Sequence, residues 1–389
     1  MDRKTVKEVL REEQRKKRAS PKRRLVKHVL ALISCLVILV IVMYGGLTLY
    51  SYFQDRARET VSNNVSGLDL DDQGNLVDGD GNAVSVVSNA VVYSQEELDA
   101  KVAAAVLEAQ NQGMEEVLDA IREGLSDGDT VLDILRPFYP EHVIVASSGK
   151  YHFVPINRQL AQSQLLTENL NILESGEIQY MLDGDVISHR GIDVSKHQGT
   201  IDWNLVAQDG VEFAFIRVGN RGYGSEGKLL EDDNFDTNVQ GALAAGIKVG
   251  VYFYSQAITE EEVLEEADLV LKKIAPYKIE CPVVFDVEKV SAGGRMDQIT
   301  VEERTNLTKL FCQTIENAGY HPMIYHNTEW GILALDLTAL EGYDKWFAAY
   351  TDTLYYPYEY KVWQYSDSGK IQGINTDVDL NISFAPLWE

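Results

Sequence analysis

The stretch PVVFDVE, residues 282–288, joins an apolar run suited to a buried β-strand to two carboxylates. Because side chains alternate along a strand, Asp286 and Glu288 should point the same way, with their backbones roughly 6–7 Å apart. Ionised carboxylates this close repel each other, and burial raises their pKa values further. An arrangement with such a cost raises the question of what makes it worthwhile.

Segments with strand and helix character alternate around this stretch, from Gly191 to the end of the chain. The strand-like segments are GIDVS, EFAFIRV, KVGVYFYS, PVVFDVE, HPMIYHN, KWFAAY and YKVWQYS. Helical stretches lie between them, and two of these open with capping boxes at Thr259–Glu262 and Thr300–Glu303. The alternation predicts an α/β fold with a parallel sheet, open or closed into a barrel. In barrels, the chemistry sits at the carboxyl ends of the strands.

Acidic and aromatic residues gather at these predicted strand ends. The acids are Asp193, Asp286, Glu288, Asp377 and Asp379, of which the last two lie near the end of the last strand. The aromatic residues are Tyr252, Tyr254, Tyr325, Trp346, Tyr350, Trp363 and Tyr365. Acids surrounded by aromatic rings suit a carbohydrate, because sugar faces stack on rings and carboxylates carry out glycosidic cleavage.

Two plainer interpretations of the acids stay open. Paired carboxylates can hold a hard cation through oxygen ligands, since no pair of histidines lies nearby in the sequence. They can also be solvated and have no role. The convergence of acids from at least three strands on one predicted site favours the carbohydrate interpretation over both.

Residues from about 190 to 389 resemble glycoside hydrolase family 25, the lysozymes that cleave peptidoglycan between N-acetylmuramic acid and N-acetylglucosamine. The resemblance rests on GIDVSKHQGTIDW, AFIRVGNRGYG, VGVYFYSQA, VVFDVE and the closing WQYS and VDLN, which follow in family order. It covers about half of the chain and implies an irregular β/α barrel with a pronounced groove, without a cofactor or a metal.

The resemblance also implies roles for single residues. It implies that Glu288 is the general acid and Asp286 the second carboxylate of the pair, and that Asp193 and Asp379 complete the catalytic set. Asp286 is then either a nucleophile, or a group that orients the N–H of a substrate acetamido group whose carbonyl attacks. The residues expected to bind substrate are Tyr252, Tyr254, Tyr325, Trp363 and Asp377.

The charge of the chain is divided unevenly, although the 389 residues together carry −25. Residues 1–28 hold 12 Lys and Arg against 4 Asp and Glu, which leaves 23 basic and 56 acidic residues for the remainder. Between the two lies Val29–Tyr50, 22 residues without a charge, which is long enough to span a membrane. The apolar part of a signal peptide would be shorter, at about 7–15 residues.

These features predict a single-pass membrane protein. The basic tail, residues 1–28, is expected in the cytoplasm, and the catalytic domain is expected outside the cell. The acidic outer portion argues against nucleic acid as a partner.

The region between the anchor and the catalytic domain is predicted in three parts. Residues 51–93 are expected to be a spacer; a calcium loop is the alternative, but its twelfth position is Asp80 where Glu is expected. Residues 94–126 are expected to form a helical stalk through which the chain can form a homodimer. Residues 127–189 are expected to be a small β-rich module that precedes the catalytic domain at 190–389.

The sequence therefore predicts a membrane-tethered peptidoglycan hydrolase. The alternatives are a non-hydrolytic glycan-binding or scaffold protein on the same barrel, and a hydrolase of another acetamido-sugar polymer. The complete set of acids favours a hydrolase, since a binding module does not need an acid. Cys281 and Cys312 are expected to be small buried residues, with a disulfide between them as the alternative.

Overall fold

The computed structural model describes residues 68–70, 76–78, 95–290 and 293–388. The predicted tail at 1–28, the predicted membrane helix at 29–50 and most of the predicted spacer lie outside these residues. In the part of the chain that is described, no helix is long and apolar enough to cross a membrane. The chain divides into two compact units between Thr130 and Val131.

The described strands are β1 (Leu68–Leu70), β2 (Leu76–Asp78), β3 (His142–Ser147), β4 (Lys150–Pro155), β5 (Leu170–Ile172), β6 (Ile178–Leu182), β7 (Asp185–Val186), β8 (His189–Val194), β9 (Phe213–Arg221), β10 (Leu229–Glu231), β11 (Lys248–Tyr254), β12 (Val283–Asp286), β13 (Pro322–Asn327), β14 (Asp344–Ala348), β15 (Val362–Gly369) and β16 (Val378–Ser383). The α-helices are α1 (Gln95–Asp127), α2 (Val131–Leu135), α3 (Trp203–Gln208), α4 (Phe235–Ala244), α5 (Glu260–Ile274), α6 (Val301–Asn317) and α7 (Thr328–Leu333).

In the first unit, β1 and β2 form an antiparallel hairpin and α1 is one helix of 33 residues. The helix continues through Gly113. Several of its apolar side chains are exposed among the described residues: Leu107, Met114, Leu118 and Leu125.

In the second unit, eight of the described strands close into a barrel in the order β8, β9, β11, β12, β13, β14, β15, β16 and back to β8. Neighbours from β8 to β15 are parallel, whereas β16 is antiparallel to both β15 and β8. β10 is an extra strand that pairs only with β9 in this sheet. The prediction of an irregular β/α barrel is confirmed.

The strands bury one face inside the barrel and the other against the helices. Along β9, Phe213 and Phe215 belong to the inner cluster, whereas Ala214 and Ile216 belong to the larger outer cluster. The ring of Phe215 stacks on Trp346 of β14 at 4.6 Å, although three strands separate β9 from β14 in the sheet. That contact crosses the barrel interior and identifies the inner face.

The predicted helix starts are found where the capping residues indicate them. Thr259 and Thr300 are N-caps that accept hydrogen bonds from the backbone N–H of Glu262 and Glu303. Glu303 completes a capping box on Thr300, whereas the Glu262 side chain accepts from the N–H of Ile258 instead. Each cap satisfies backbone donors that a helix terminus leaves unpaired.

The segment before the barrel contains a hairpin, β3–β4, and a small antiparallel sheet, β5–β6–β7. Leu160, Ile178 and Tyr180 of this segment are buried in the outer cluster of the barrel. The ring of Tyr180 meets Phe384 edge-on at 5.3 Å. The segment therefore packs on the barrel, and the predicted boundary at residue 190 stays a prediction.

Cys281 and Cys312 are both free and buried. Cys281 belongs to the inner cluster and Cys312 to the outer one. The prediction of two small buried residues is confirmed, and the alternative disulfide is not formed.

Candidate active site

The structure brings the four predicted catalytic acids together at one end of the barrel. Asp286 is the last residue of β12, and half-buried Glu288 follows two positions later. Asp193, near the end of β8, is directly opposite Asp379 of β16. The charge of Asp193 acts on Asp286, Glu288 and Asp379 alike, which requires all four to be close.

The position of Asp379 differs from the prediction. It was expected near the end of the last strand, but NTDVDLN begins a further strand, and Asp379 is its second residue. Because β16 runs antiparallel to β15 and β8, its start lies at the end of the barrel where the parallel strands finish. The antiparallel direction therefore brings Asp379 to Asp193.

Asp193 and Asp379 form a hydrogen-bonded pair that holds one proton. Asp193 Oδ2 accepts hydrogen bonds from Gln364 Nε2 at 2.8 Å and Asn381 Nδ2 at 2.9 Å, and its side chain bonds to Asp379. Burial raises the pKa of Asp193, but these donors act against that rise. Burial and the charge of Asp193 raise the pKa of Asp379 to about 9. Asp379 is therefore the protonated partner at neutral pH, and its carboxyl O–H donates a hydrogen bond to Asp193.

The other two acids are also held towards the neutral form. Burial, followed by the charge of Asp193, raises the pKa of Glu288 to about 7. Burial, followed by the charges of Glu288 and Asp193, raises the pKa of Asp286 well above its ordinary value. In the described part of the chain, Asp286 Oδ1 is buried and has no hydrogen-bond partner. A buried acceptor without a partner is rare in native proteins and is available to a ligand.

One cation faces this cluster, and the sequence interpretation missed it. Arg217 acts on the pKa of Asp286 in the direction of ionisation and is held by Asp232, at 2.8 Å from Nε and 2.7 Å from Nη2. The signal was present in FAFIRV, because Arg217 follows Phe213 and Phe215 at the spacing of two that marks one strand face.

Two amide side chains that orient Asp193 were also missed. Gln364 donates to Asp193 and accepts from the hydroxyls of Tyr325 at 2.8 Å and Tyr350 at 3.1 Å. Asn381 accepts from the indole of Trp346 at 2.8 Å. Both are polar residues within apolar strands, which is the signal that could have found them.

Most of the predicted groove aromatics lie at the acid cluster. The charge of Asp193 acts on Tyr252, and that of Glu288 acts on Tyr254 and Tyr325. Tyr325 is buried, whereas Tyr350 is 56% exposed and is placed where a ligand can reach its ring. These rings provide apolar surface beside the acids.

Trp363 and Asp377 do not lie at the acid cluster. Trp363 is buried in the outer hydrophobic cluster, and its indole N–H donates to the Ala349 carbonyl at 2.9 Å. It faces outward because Val362 and Gln364, its neighbours in β15, face inward. Asp377 is an exposed residue that pairs with Lys370. Neither side chain lines the cluster, contrary to the sequence interpretation.

Among the residues that the structure describes, no group of three or more His, Cys, Asp or Glu is placed to hold a metal ion. The site is therefore a set of four carboxylates with one arginine and a ring of tyrosines. Two of the carboxylates share a proton, one has a pKa near neutrality and one has an acceptor atom without a partner. Such a site can protonate a leaving group and hold a polar substrate group.

Comparison with known proteins gives a consistent result for the barrel. The sequence profile of "Glycosyl hydrolases family 25" matches residues 192–374. The autolytic lysozyme of Clostridium acetobutylicum is 31% identical over 193 residues, which cover 49% of this chain and 55% of the relative. The uncharacterized protein YegX of Escherichia coli K12 is 30% identical over 207 residues, or 49% of this chain and 68% of the relative.

A solved structure is similar as well. A family 25 glycosyl hydrolase from Bacillus anthracis aligns over 54% of this chain and 93% of its own, with 23% identity and a TM-score of 0.43. The chain spans 55% of the length of the clostridial lysozyme.

Proposed function

Because the chain belongs to glycosyl hydrolases family 25, we propose that it is a peptidoglycan hydrolase of the lysozyme type. It cleaves the β-1,4 bond between N-acetylmuramic acid and N-acetylglucosamine. The observation that carries the proposal is the convergence of four carboxylates, one with a pKa of about 7, at one end of the barrel. The clostridial relative, described as an autolytic lysozyme, supports the same substrate.

Glu288 is the general acid in this proposal. A carboxyl group with a pKa of about 7 is about half protonated at neutral pH and holds its proton at lower pH, where an ordinary glutamate is ionised. It can therefore protonate the glycosidic oxygen as the bond to the leaving sugar breaks. Its partial exposure, beside fully buried Asp286, suits the residue that must reach the substrate.

Asp286 orients the substrate in this proposal. Its Oδ1 has no partner among the described residues and can accept the N–H of a 2-acetamido group. The carbonyl oxygen of that group then attacks the anomeric carbon while Glu288 gives its proton to the leaving oxygen. A direct attack by Asp286 is disfavoured, because Asp286 and Glu288 lie only two residues apart at the end of one strand and are poorly placed to reach opposite faces of a sugar ring.

A zymogram with purified peptidoglycan tests the proposed activity. Glu288→Gln should lower cleavage roughly 10²–10⁴-fold, because an amide cannot deliver a proton. Glu302→Gln, an exposed change on α6, is the matched control and should remain active. Binding of peptidoglycan without cleavage by the wild-type protein would instead identify a glycan-binding protein. A glycosyl adduct on Asp286 in a mass spectrum would identify Asp286 as a nucleophile.

The proposal includes attachment to the membrane through residues 29–50, with residues 1–28 in the cytoplasm and the barrel outside the cell. The uncharged run and its basic flank support it. The anchor would hold the enzyme beside the wall that it cleaves.

The proposal also includes self-association through α1. Leu107, Met114, Leu118 and Leu125 are exposed. Together with Asn111 and Ile121 they follow the alternating spacing of three and four residues that marks a coiled-coil seam. Asn111 occupies a core position of that seam, where an asparagine selects a register and a two-stranded state. A second copy of α1 is therefore the partner that fits this face.

A further inference from the structure

The hairpin β3–β4 is linked through Glu329 to Lys289, the residue after the proposed general acid, although it precedes the residues that match the family. Ser147, at the end of β3, donates a hydrogen bond from its hydroxyl to Glu329 Oε1 at 2.6 Å. Lys289, which directly follows Glu288, donates to the same oxygen at 2.7 Å. One carboxylate of α7 thus joins the hairpin to the residue next to Glu288. The hairpin is a wall at the acid end of the barrel.

The wall is rigid. Val143, Ile144 and Val145 of β3 are each at most 4% exposed, and the ring of Phe153 packs on Tyr139 at 4.6 Å. The strands are joined by a two-residue turn at Ser148 and Gly149, both of which have positive φ. Such turns match the twist of the two strands and hold the register of the hairpin. The turn therefore fixes the pairing of Ser147 with Lys150.

The face of the hairpin that meets Glu329 carries basic side chains. Ser147 pairs with Lys150 and Val145 pairs with His152, so that Lys150 and His152 share the face of Ser147. His152 lies close enough for its charge to lower the pKa of Glu329. Lys150 and Lys289 are exposed, and Lys289 is paired with Glu329. We call Lys150, His152 and Lys289 the basic edge, which keeps the charge of Lys150 after the Lys289–Glu329 pair is balanced.

The basic edge contrasts with its surroundings. The chain carries −25 in total, and the adjoining floor of the site is made of four carboxylates. The charge of Asp193 on that floor repels an anionic substituent, whereas the basic edge attracts it. The difference in charge between the floor and the basic edge would orient such a substrate in one direction. Complementary electrostatic potentials determine the orientation of a bound partner more than they add affinity.

We propose that the basic edge binds the carboxylates of the peptides attached to the glycan strand, while the sugar next to the cleaved bond lies over Glu288. This inference rests on the proposed function, because it assumes that the barrel holds peptidoglycan. It assigns the segment before the family domain a role in substrate recognition. The wall would make the enzyme prefer glycan that still bears its peptides.

The test compares two substrates with the full-length protein in detergent. One is glycan with its peptides, and the other is the same glycan after an amidase has removed them. Lys150→Glu should lower kcat/KM on the peptide-bearing glycan by about 5-fold, the size expected for an exposed ion pair, mainly through KM. It should change cleavage of the bare glycan by less than about 2-fold. Lys150→Arg should behave as wild type. Added salt should reduce the difference in kcat/KM between wild type and Lys150→Glu on the peptide-bearing glycan.

Lys309→Glu, at an exposed position on α6, is the matched charge control and should affect neither substrate. Equal losses by Lys150→Glu on both substrates would overturn the inference, because a misfolded wall damages all cleavage. If Lys150→Glu leaves kcat/KM unchanged on both substrates, the inference is wrong but the proposed function is not affected. A wild-type protein that cleaves neither substrate would overturn both.

Discussion

The four acids of the site differ in their surroundings more than in their chemistry. Asp193 accepts two amide hydrogen bonds and one from Asp379, which favours its ionised form. Asp286 Oδ1 has no partner among the described residues, and Glu288 is half-buried. Environments that move the pKa values of neighbouring carboxyls apart are what assign acid and base roles. The residue types alone would not distinguish the roles of the four acids.

The first prediction concerns the pH dependence of cleavage. The value of kcat/KM should fall as the pH rises through about 7, because Glu288, as the proposed general acid, would have to be protonated and its pKa is about 7. The titratable groups that face it are Asp193, Asp286, Asp379, Tyr254, Tyr325 and Tyr350. Initial rates on labelled peptidoglycan at constant salt measure the profile. Activity that increases above neutral pH would contradict a protonated Glu288.

The second prediction concerns stability at Asp379. Its pKa of about 9 in the folded state exceeds that of an unfolded aspartate, about 4. The folded state therefore binds the proton more tightly, and this contribution to stability is lost as the pH rises from about 4 towards 9. The side chain in Asp379→Asn has no titratable proton, and its amide N–H can still donate a hydrogen bond to Asp193. The free energy of unfolding of Asp379→Asn should exceed that of wild type by an amount that grows from acid to alkaline pH, to the order of a few kcal/mol.

Thermal melts of wild type and Asp379→Asn at several pH values measure this difference. Asp377→Asn is the control, because Asp377 is exposed and lies directly before β16. It should change the free energy of unfolding by no more than about 1 kcal/mol. A gain for Asp379→Asn that shrinks as the pH rises would show that Asp379 is ionised in the folded protein.

At the scale of elements, the alternation within β15 decides what each side chain does. Val362 and Gln364 face the barrel interior, whereas Trp363 faces the helices. Similarly, β16 reaches the acid end only because it runs antiparallel to its neighbours. Strand direction and face, rather than residue type, therefore separate site residues from core residues.

The third prediction contrasts two adjacent residues of β15. Gln364→Leu removes a donor to Asp193 and the acceptor of two tyrosine hydroxyls, and should lower kcat at least about 10-fold. Trp363→Phe should leave kcat unchanged and lower stability by about 1–2 kcal/mol, because it removes buried area and one hydrogen bond from the outer cluster. Steady-state rates and melting curves of both variants measure the contrast. A loss of kcat for Trp363→Phe that exceeds the loss for Gln364→Leu would show that Trp363 belongs to the active site.

The fourth prediction concerns α1. Leu118→Glu places a charge in the proposed seam and should convert a dimer of the full-length protein in detergent into a monomer. Ala120→Glu, two positions away and outside the seam, adds the same charge and should leave the dimer intact. Sedimentation velocity measures both. A wild-type monomer at all concentrations would refute self-association through this helix.

At the scale of the whole molecule, the division of charge matches the proposed topology. The 28 residues before the uncharged run carry 12 basic side chains, whereas the residues after it hold 56 acidic ones. Basic flanks stay on the cytoplasmic side of a membrane segment. A tethered hydrolase acts only on wall within reach of the membrane, which limits where cleavage occurs.

The fifth prediction tests that topology. Protease added to wall-stripped intact cells should remove the barrel and leave a fragment that contains residues 1–50. The same treatment after lysis of the membrane should also degrade the tail, which is the internal control. A barrel that survives until the membrane is lysed would refute the proposed orientation.

The sequence by itself determined the barrel and the acids at its end. Strand–helix alternation and PVVFDVE are local patterns, and local periodicity is read without knowledge of distant contacts. Only the tertiary structure decided that Trp363 faces outward, that Arg217, Gln364 and Asn381 join the acids, and that β3–β4 is linked through Glu329 to the residue after Glu288. Ser147 and Glu329 are 182 residues apart. No local pattern contains such a contact, because packing in three dimensions determines which distant residues meet.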